Sequence, residues 1–336
     1  MTFLLRFRRS LVLATTAIAT TATVVACSST GGKPTETDSG TMGAGTADTP
    51  RLVVQMIGHY GPGVAFADLI RKGAEAAAAK DNIELRFATD PDGPTQANMV
   101  QSAIDSDVNG IAVTLAKPEA MAPTVQKAID AGIPVVGFNA GFDAWQPMGI
   151  LQFFGQDEVI AGQRAGERLA EEGAQKTLCV IHEQGNVSLE ARCQGVKEGL
   201  GGAAIENLYV NGNDMTAVQA TITAKLQQDP SIDHIATLYS AVGMTALQAK
   251  ESTGSEATIV TFDTSPELVD AIKSGDIAWT IDQQPFLQGY LAVDSLWLYL
   301  NNRNSIGGGS ATLTGPAFVD SSNIDAIAEY AERGTR

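Results

Sequence analysis

The chain has 336 residues, with 22 Lys+Arg against 38 Asp+Glu and a formal net charge of −16. That balance argues against a nucleic-acid partner, because phosphate backbones select basic surfaces. A hydrophobic share of 44% with 34 Gly and 13 Pro describes a globular chain long enough for about two domains, and three cysteines are too few for a disulfide-built scaffold.

The first element reads as a leader. Arg6, Arg8 and Arg9 form a basic region, and residues 11–26 carry no charge. At about 1.5 Å per residue that run is short for a hydrocarbon core of roughly 30 Å, so residues 1–26 are expected to be a secretory signal. Their end, Val24-Val25-Ala26-Cys27, resembles the lipobox of bacterial lipoproteins, which implies cleavage before Cys27 and a lipid on its thiol. An ordinary signal peptide with a coincidental cysteine is the alternative. Cleavage would remove three positive charges and no negative one, giving 19 − 38 = −19. Residues 27–50, rich in Ser, Thr and Gly, read as a flexible tether. The body would then lie outside the cytoplasmic membrane, where thiols oxidise. Cys179 and Cys193, 14 positions apart at the ends of a strand-to-helix turn, are expected to form a disulfide, with two buried free thiols as the alternative.

From Arg51 onward, continuous apolar runs alternate with a 3.6-residue repeat. A strand at 52–57 precedes a helix carrying Phe66, Leu69, Ile70, Gly73, Ala74 and Ala77 on one face. Strand 83–88 is followed by a helix from about Thr95, strand 110–115 by helix 118–131, and strand 133–138 by the segment around Trp145. After Gln156 the plan restarts with helix 157–172, strand 177–183, helix 189–200, strand 205–210 and helix 217–228. Strand 235–239, helix 243–252, strand 258–263, helix 266–274, strand 277–283, helix 285–300 and a strand at 311–319 complete it. Strands apolar along their whole length and joined by helices predict parallel sheets covered on both faces. The predicted fold is α/β, the two similar sets making two Rossmann-like lobes with a cleft between them.

Open α/β sheets bind ligands outside the carboxyl ends of their strands. The polar residues there are His59, Asn139, Glu183, Asp263 and Gln283. For any one of them a turn or cap role is as good an account as a ligand contact; the set carries the signal. No GxxxxGK[ST] or GxGxxG is present, and amides, carboxylates and an Arg spread over several loops suit a neutral polyhydroxylated ligand.

The segments "LVVQMI", "GIAVTLAKPEAMAPTVQKAIDAGIPVVGFNAG", "FFGQDEVIAGQRAGERLA", "CVIHEQGNVSLEARCQGVKEGL", "TIVTFDTSPE" and "WTIDQQPFLQGY", in this order, resemble the ribose-binding type of periplasmic substrate-binding proteins of ABC transporters. The resemblance spans nearly all of residues 51–320. It implies a type I fold of two lobes joined by a three-crossing hinge near Gln156, Gln283 and Gly307–Gly309, with residues 51–155 and 284–310 in the N-terminal lobe and 156–283 and 311–336 in the C-terminal lobe, no enzymatic activity and no cofactor. Its implied partners are a monosaccharide or sugar alcohol, an ABC permease and, through Cys27, the cell membrane, with the protein acting as a monomer. His59, Tyr60 and Phe66 fall where the family places sugar-stacking aromatic residues. The family's binding Asp falls on Asn139, its Arg on Arg192, and its polar residue after the fourth strand of the second set near Tyr239 or Ser240. Asp263 and Gln283 match the family pattern, Asn213 replaces a frequent aromatic residue, and Gln156 sits at the first crossing. The departures at Asn139-Ala140 and Tyr239-Ser240 imply an altered hydroxyl pattern, with an acyclic polyol as open as a pyranose.

Other readings are weaker. Glu183, Asp263 and Asp282 could be glycosidase carboxylates, but they read better as ligand-bonding or capping acids, and no HExxH, GxSxG, CxxC pair or other metal-binding spacing is present. His182 and His234 lie in apolar strand contexts and read as structural. Asp90-Pro91-Asp92-Gly93 is too short for a calcium loop, which needs about 12 residues, and reads as a turn. A cytosolic repressor with the same body is set aside by the leader and by the lack of a basic helix-turn-helix before Arg51. A sensor lipoprotein presenting a sugar-like signal to a membrane receptor remains the alternative to transport. Trp145 and Trp279 are each open between cleft lining and packing.

Overall fold

The structure, a computed structural model, describes residues 45–336. The expected signal segment, the expected lipid site at Cys27 and most of the tether lie outside them. The chain first builds five strands and three helices: β1 (Leu52–Gly58), α1 (Ala65–Lys80), β2 (Ile83–Thr89), α2 (Gly93–Asp105), β3 (Gly110–Val113), α3 (Pro118–Asp130), β4 (Val135–Asn139) and β5 (Gln152–Gly155). A second set follows: α4 (Glu158–Glu171), β6 (Lys176–Ile181), α5 (Val187–Gly199), β7 (Ala204–Tyr209), α6 (Met215–Gln228), β8 (His234–Thr237), α7 (Ser240–Thr253), β9 (Thr258–Phe262), α8 (Pro266–Ser274) and β10 (Trp279–Asp282). The chain then returns through α9 (Pro285–Asn302) and β11 (Thr312–Leu313) and ends with β12 (Ala317–Asp320) and α10 (Asp325–Glu332).

Strands β3, β4, β8 and β10 are buried at every residue, as expected where helices cover both faces of a sheet. They pair into two six-stranded sheets, ordered β11-β5-β4-β3-β1-β2 and β12-β10-β9-β8-β6-β7. All pairs are parallel except β10 with β12. Phe138, Phe153 and Phe154 fill the first core, and Leu178, Val180, Ile235 and Trp279 the second. Among the described residues no helix is long and apolar enough to cross a membrane.

Two elements differ from expectation. Strand β5 was not anticipated, because only Phe153 and Phe154 in it are apolar and a run so short has no period to read. The strand expected at 311–319 is two strands in different sheets: β11 pairs with β5, and β12 with β10. The third passage between lobes therefore lies between β11 and β12, not at Gly307–Gly309.

The passages are tied side by side. Gln284 Nε2 donates to the Thr314 carbonyl at 2.6 Å, Thr314 Oγ1 donates to the Gln283 carbonyl at 2.7 Å, and Gln288 Nε2 donates to the same carbonyl at 3.0 Å. Gln156, fully buried at the first passage, donates from Nε2 to Glu158 Oε2 at 2.9 Å.

Helices α4 and α5 pack through glycines. A Cβ on Gly162 would lie 2.1 Å from the Arg192 carbonyl oxygen, and one on Gly195 2.2 Å from that of Val159. Asp157 caps α4 by accepting from the Ile160 amide, and Asn186 caps α5 by accepting from that of Ser188. Cys179 in β6 and Cys193 in α5 form a disulfide across a Cα separation of 6.1 Å, as expected, which fixes α5 to its own sheet. Both undecided tryptophans are core residues. Trp145 stacks on Phe153 with ring centroids 6.4 Å apart, and the Trp279 indole donates to Glu172 at 2.9 Å.

Candidate functional site

The matching strand orders make the lobes positionally equivalent. His59 follows β1 as His182 follows β6, Thr114 follows β3 as Leu238 follows β8, and Asn139 closes β4 as Asp263 follows β9. Asn139 and Asp263 share a left-handed backbone, with φ of 60° and 70°, that turns each side chain off its sheet into the space between the lobes. The carboxyl ends of both sheets thus face one cavity of about 100 Å³.

Nine of the ten residues expected to contact ligand line that cavity: His59, Tyr60, Phe66, Asn139, Arg192, Asn213, Tyr239, Asp263 and Gln283. Gln156 does not; its buried amide is used at the hinge against Glu158. His182, expected to be structural, lies on the cavity wall, 5.5 Å from the Tyr239 ring centroid. The reason is local: β6 ends at Ile181, which places His182 at the strand end rather than inside it. His234 stays within β8, its Nδ1 2.7 Å from Asp233. Pro91 also lines the cavity, and Asp92 in the same expected turn caps α2 by accepting from the Thr95 amide.

A hydrogen-bonded chain crosses from one lobe to the other. Tyr60 donates to Asn139 Oδ1 at 2.9 Å, Asn139 Nδ2 donates to Gln283 Oε1 at 3.0 Å, and Gln283 Nε2 donates to Asp263 Oδ1 at 2.7 Å. Facing it is Arg192, only 3% exposed, whose Nε donates to Glu158 Oε2 at 2.7 Å and Nη1 to the Leu238 carbonyl at 3.1 Å. Its guanidinium lies 4.2 Å from the Phe262 ring centroid. Three of its five N–H groups are left for other acceptors. Sequence reasoning missed Glu158. It occupies the first turn of α4, where an acid is ordinary because the helix dipole favours it, and nothing in the helical pattern shows that this acid is buried.

At the cleft rim the lobes touch. Lys117 Nζ donates to Glu183 Oε1 at 3.0 Å, the Val187 amide to the Ala116 carbonyl at 3.1 Å, and the Gly141 amide to Ser188 Oγ at 3.1 Å. The conformation is closed. Burial pushes the Glu183 carboxyl up, but His59, Asn186 and Lys117 together bring it below its ordinary value. Burial lowers His59, and burial reinforced by Arg192 lowers His182 to about 4, so both imidazoles are neutral at pH 7 and can accept as well as donate.

Burial, opposed by Arg192 and Gln283, pushes Asp263 up to about 7 from an ordinary 3.8. The folded state holds this proton to higher pH than the unfolded chain. Its contribution therefore favours folding below about pH 4 and is lost as the pH rises toward 7. Asp263→Asn, which keeps an acceptor for Gln283, should match the ligand-free parent protein in melting temperature near pH 4 and exceed it by several degrees at pH 8. A difference between the two that is constant across pH would contradict this.

The family described as periplasmic binding protein domain matches residues 56–304. Among solved structures, a carbohydrate transporter from Acidothermus cellulolyticus 11B in complex with myo-inositol superposes with a TM-score of 0.84 at 51% identity, covering 85% of this chain and 100% of that one. A periplasmic sugar-binding protein from Legionella pneumophila gives a TM-score of 0.73 at 26% identity over 79% of this chain and 100% of its own. The xylitol-binding protein of Mycolicibacterium smegmatis is 28% identical over 70% of this chain and 68% of its own length. The xylose/arabinose-binding protein of Sulfolobus acidocaldarius is 27% identical over 69% of this chain, and the match spans 62% of that relative. With this match, two sheets of one strand order and a cavity between their carboxyl ends, the chain belongs to the periplasmic binding protein family in its two-lobed type I form.

Proposed function

We propose that the protein captures a neutral polyhydroxylated ring of monosaccharide size, a cyclitol of the myo-inositol kind, and delivers it to an ABC permease from a lipid anchor on Cys27. The observation that carries this reading is the distribution of polar groups around one closed cavity. Asn139, Asp263 and Gln283 lie on the hinge side, Arg192 and Asn186 on α5 and its cap, and His59 and Glu183 toward the rim. Donors and acceptors on every side suit a molecule with a hydroxyl on every ring carbon better than one polar at a single end. Tyr60, Phe66 and Tyr239 add apolar faces for ring C–H groups. The 51% identity to a protein solved with myo-inositol supports the same ligand class. The lipobox-like Val24-Val25-Ala26-Cys27 supports the anchor.

Binding works through closure. Each ligand hydroxyl gives up water for a fixed partner, with a net gain of about 1 kcal/mol per bond, and the total becomes useful only when both lobes contribute at once. Contacts such as Lys117 to Glu183 form only when the lobes meet, so ligand and rim together select the closed state. A thermal-shift panel of cyclitols, pentoses, hexoses and sugar alcohols tests the ligand class. Ligand at about 100 times Kd adds roughly 2.7 kcal/mol, which raises the melting temperature by several degrees. Myo-inositol is expected to lead the panel, and a flat panel would overturn the proposal.

A further inference from the structure

Resting on that neutral-polyol reading, the geometry assigns Glu158 as the residue that sets the charge of the site and so bars acidic analogues of its ligand. An exposed or unpaired arginine in a polyol cleft would be a natural seat for a carboxylate or phosphate, since its fork of N–H groups matches those anions. Arg192 is not in that position. Its Nε edge is taken by Glu158 at 2.7 Å, both side chains are 3% exposed, and Phe262 closes one guanidinium face. Glu158 Oε2 also accepts from Gln156 Nε2 at 2.9 Å, which anchors the carboxylate to the first hinge passage.

The charged groups around the cavity are the cations Arg192 and Lys117 and the carboxylates Glu158 and Glu183, with His59 and His182 neutral and Asp263, pushed up to about 7, only partly ionised. Each cation already has its own carboxylate, Arg192 with Glu158 and Lys117 with Glu183. An acidic ligand would meet Glu158 in the same desolvated space as the arginine it sought, where like charges repel far more strongly than in water. Neutral hydroxyls meet no such penalty and can accept from the three free N–H groups of Arg192.

Glu158→Gln tests this, because glutamine keeps an oxygen for Arg192 Nε while removing the charge. Affinities for myo-inositol and for quinate, a cyclohexane polyol bearing a carboxylate, are measured by calorimetry on the parent protein and the variant. The readout is the ratio of the two, which a general loosening of the site would not move in favour of the acid. The quinate-to-inositol ratio is expected to rise at least ten-fold in Glu158→Gln. An unchanged ratio overturns the inference and leaves the proposed function standing. A parent protein that binds quinate as tightly as myo-inositol also overturns it alone. A parent protein that binds neither myo-inositol nor any other neutral polyol removes the proposed function and this inference together. Should Glu158→Gln give no cooperative melt, Glu158→Asn removes the same charge with a smaller side chain and is read by the same ratio.

Discussion

Arg192→Ala is expected to weaken ligand binding by a hundred-fold or more and to lower the melting temperature as well. Two effects separate here. The binding loss follows from removing a cation that lines the cavity, with its three free N–H groups. Truncating one partner of a buried, hydrogen-bonded charge pair costs about 2–5 kcal/mol, and a hundred-fold is about 2.7 kcal/mol on that scale. The stability loss has another origin, since Glu158 is left as a buried carboxylate whose remaining partner is the Gln156 amide. Breaking a buried pair in this way costs about 3–5 kcal/mol. Arg192→Ala combined with Glu158→Gln should therefore recover much of the melting temperature and none of the affinity. Calorimetry and thermal melts on the three variants decide it; a double variant that regains binding would remove Arg192 from the site.

The second large effect is expected at a glycine. Replacing Gly by Ala inside an exposed helix usually stabilises it by about 0.5–1 kcal/mol. At Gly162 or Gly195 the sign should reverse, because the new Cβ would lie 2.1 or 2.2 Å from a main-chain carbonyl oxygen of the facing helix. Backbone atoms cannot swing aside as a side chain can, so α4 and α5 must separate, and overpacking of this kind costs about 1–3 kcal/mol. The same separation moves Glu158 away from Arg192, since one side chain rides on each helix. Gly195→Ala should thus lower both melting temperature and ligand affinity, although the residue touches no ligand. A variant more stable than the parent protein would show that the helices have room which the glycines do not fill.

Much of the fold could be read from the sequence because parallel strands buried on both faces announce themselves as unbroken apolar runs, and the residue that ends each run is identifiable. His59, Asn139, Asp263 and Gln283 were reachable on that basis alone, and the resemblance to a family added Tyr60, Phe66, Arg192, Asn213 and Tyr239. What was not legible depended on burial or on a one-residue shift. Glu158 looks like any acid opening a helix, and only the close approach of α5 makes it a buried partner. His182 was assigned to a strand that ends one residue earlier. Gln156 was correctly placed at a crossing, but its amide is consumed within the hinge. The two-residue β11 leaves no periodic trace, so the third passage was set too early.

The sheet orders have a consequence for how a ligand leaves. All passages cluster beside β5, β10, β11 and β12 at one edge of the two sheets, so opening is a swing about that edge. Each strand outward adds roughly 5 Å of lever arm. Asn139 and Asp263 are one strand out, Thr114 and Leu238 two, and His59 and His182 three. For one rotation, the facing pairs therefore part in a graded sequence, the histidines travelling farthest and the Asn139–Gln283–Asp263 corner least. A molecule bound there would be released from the rim inward, with that inner corner the last surface to hold it.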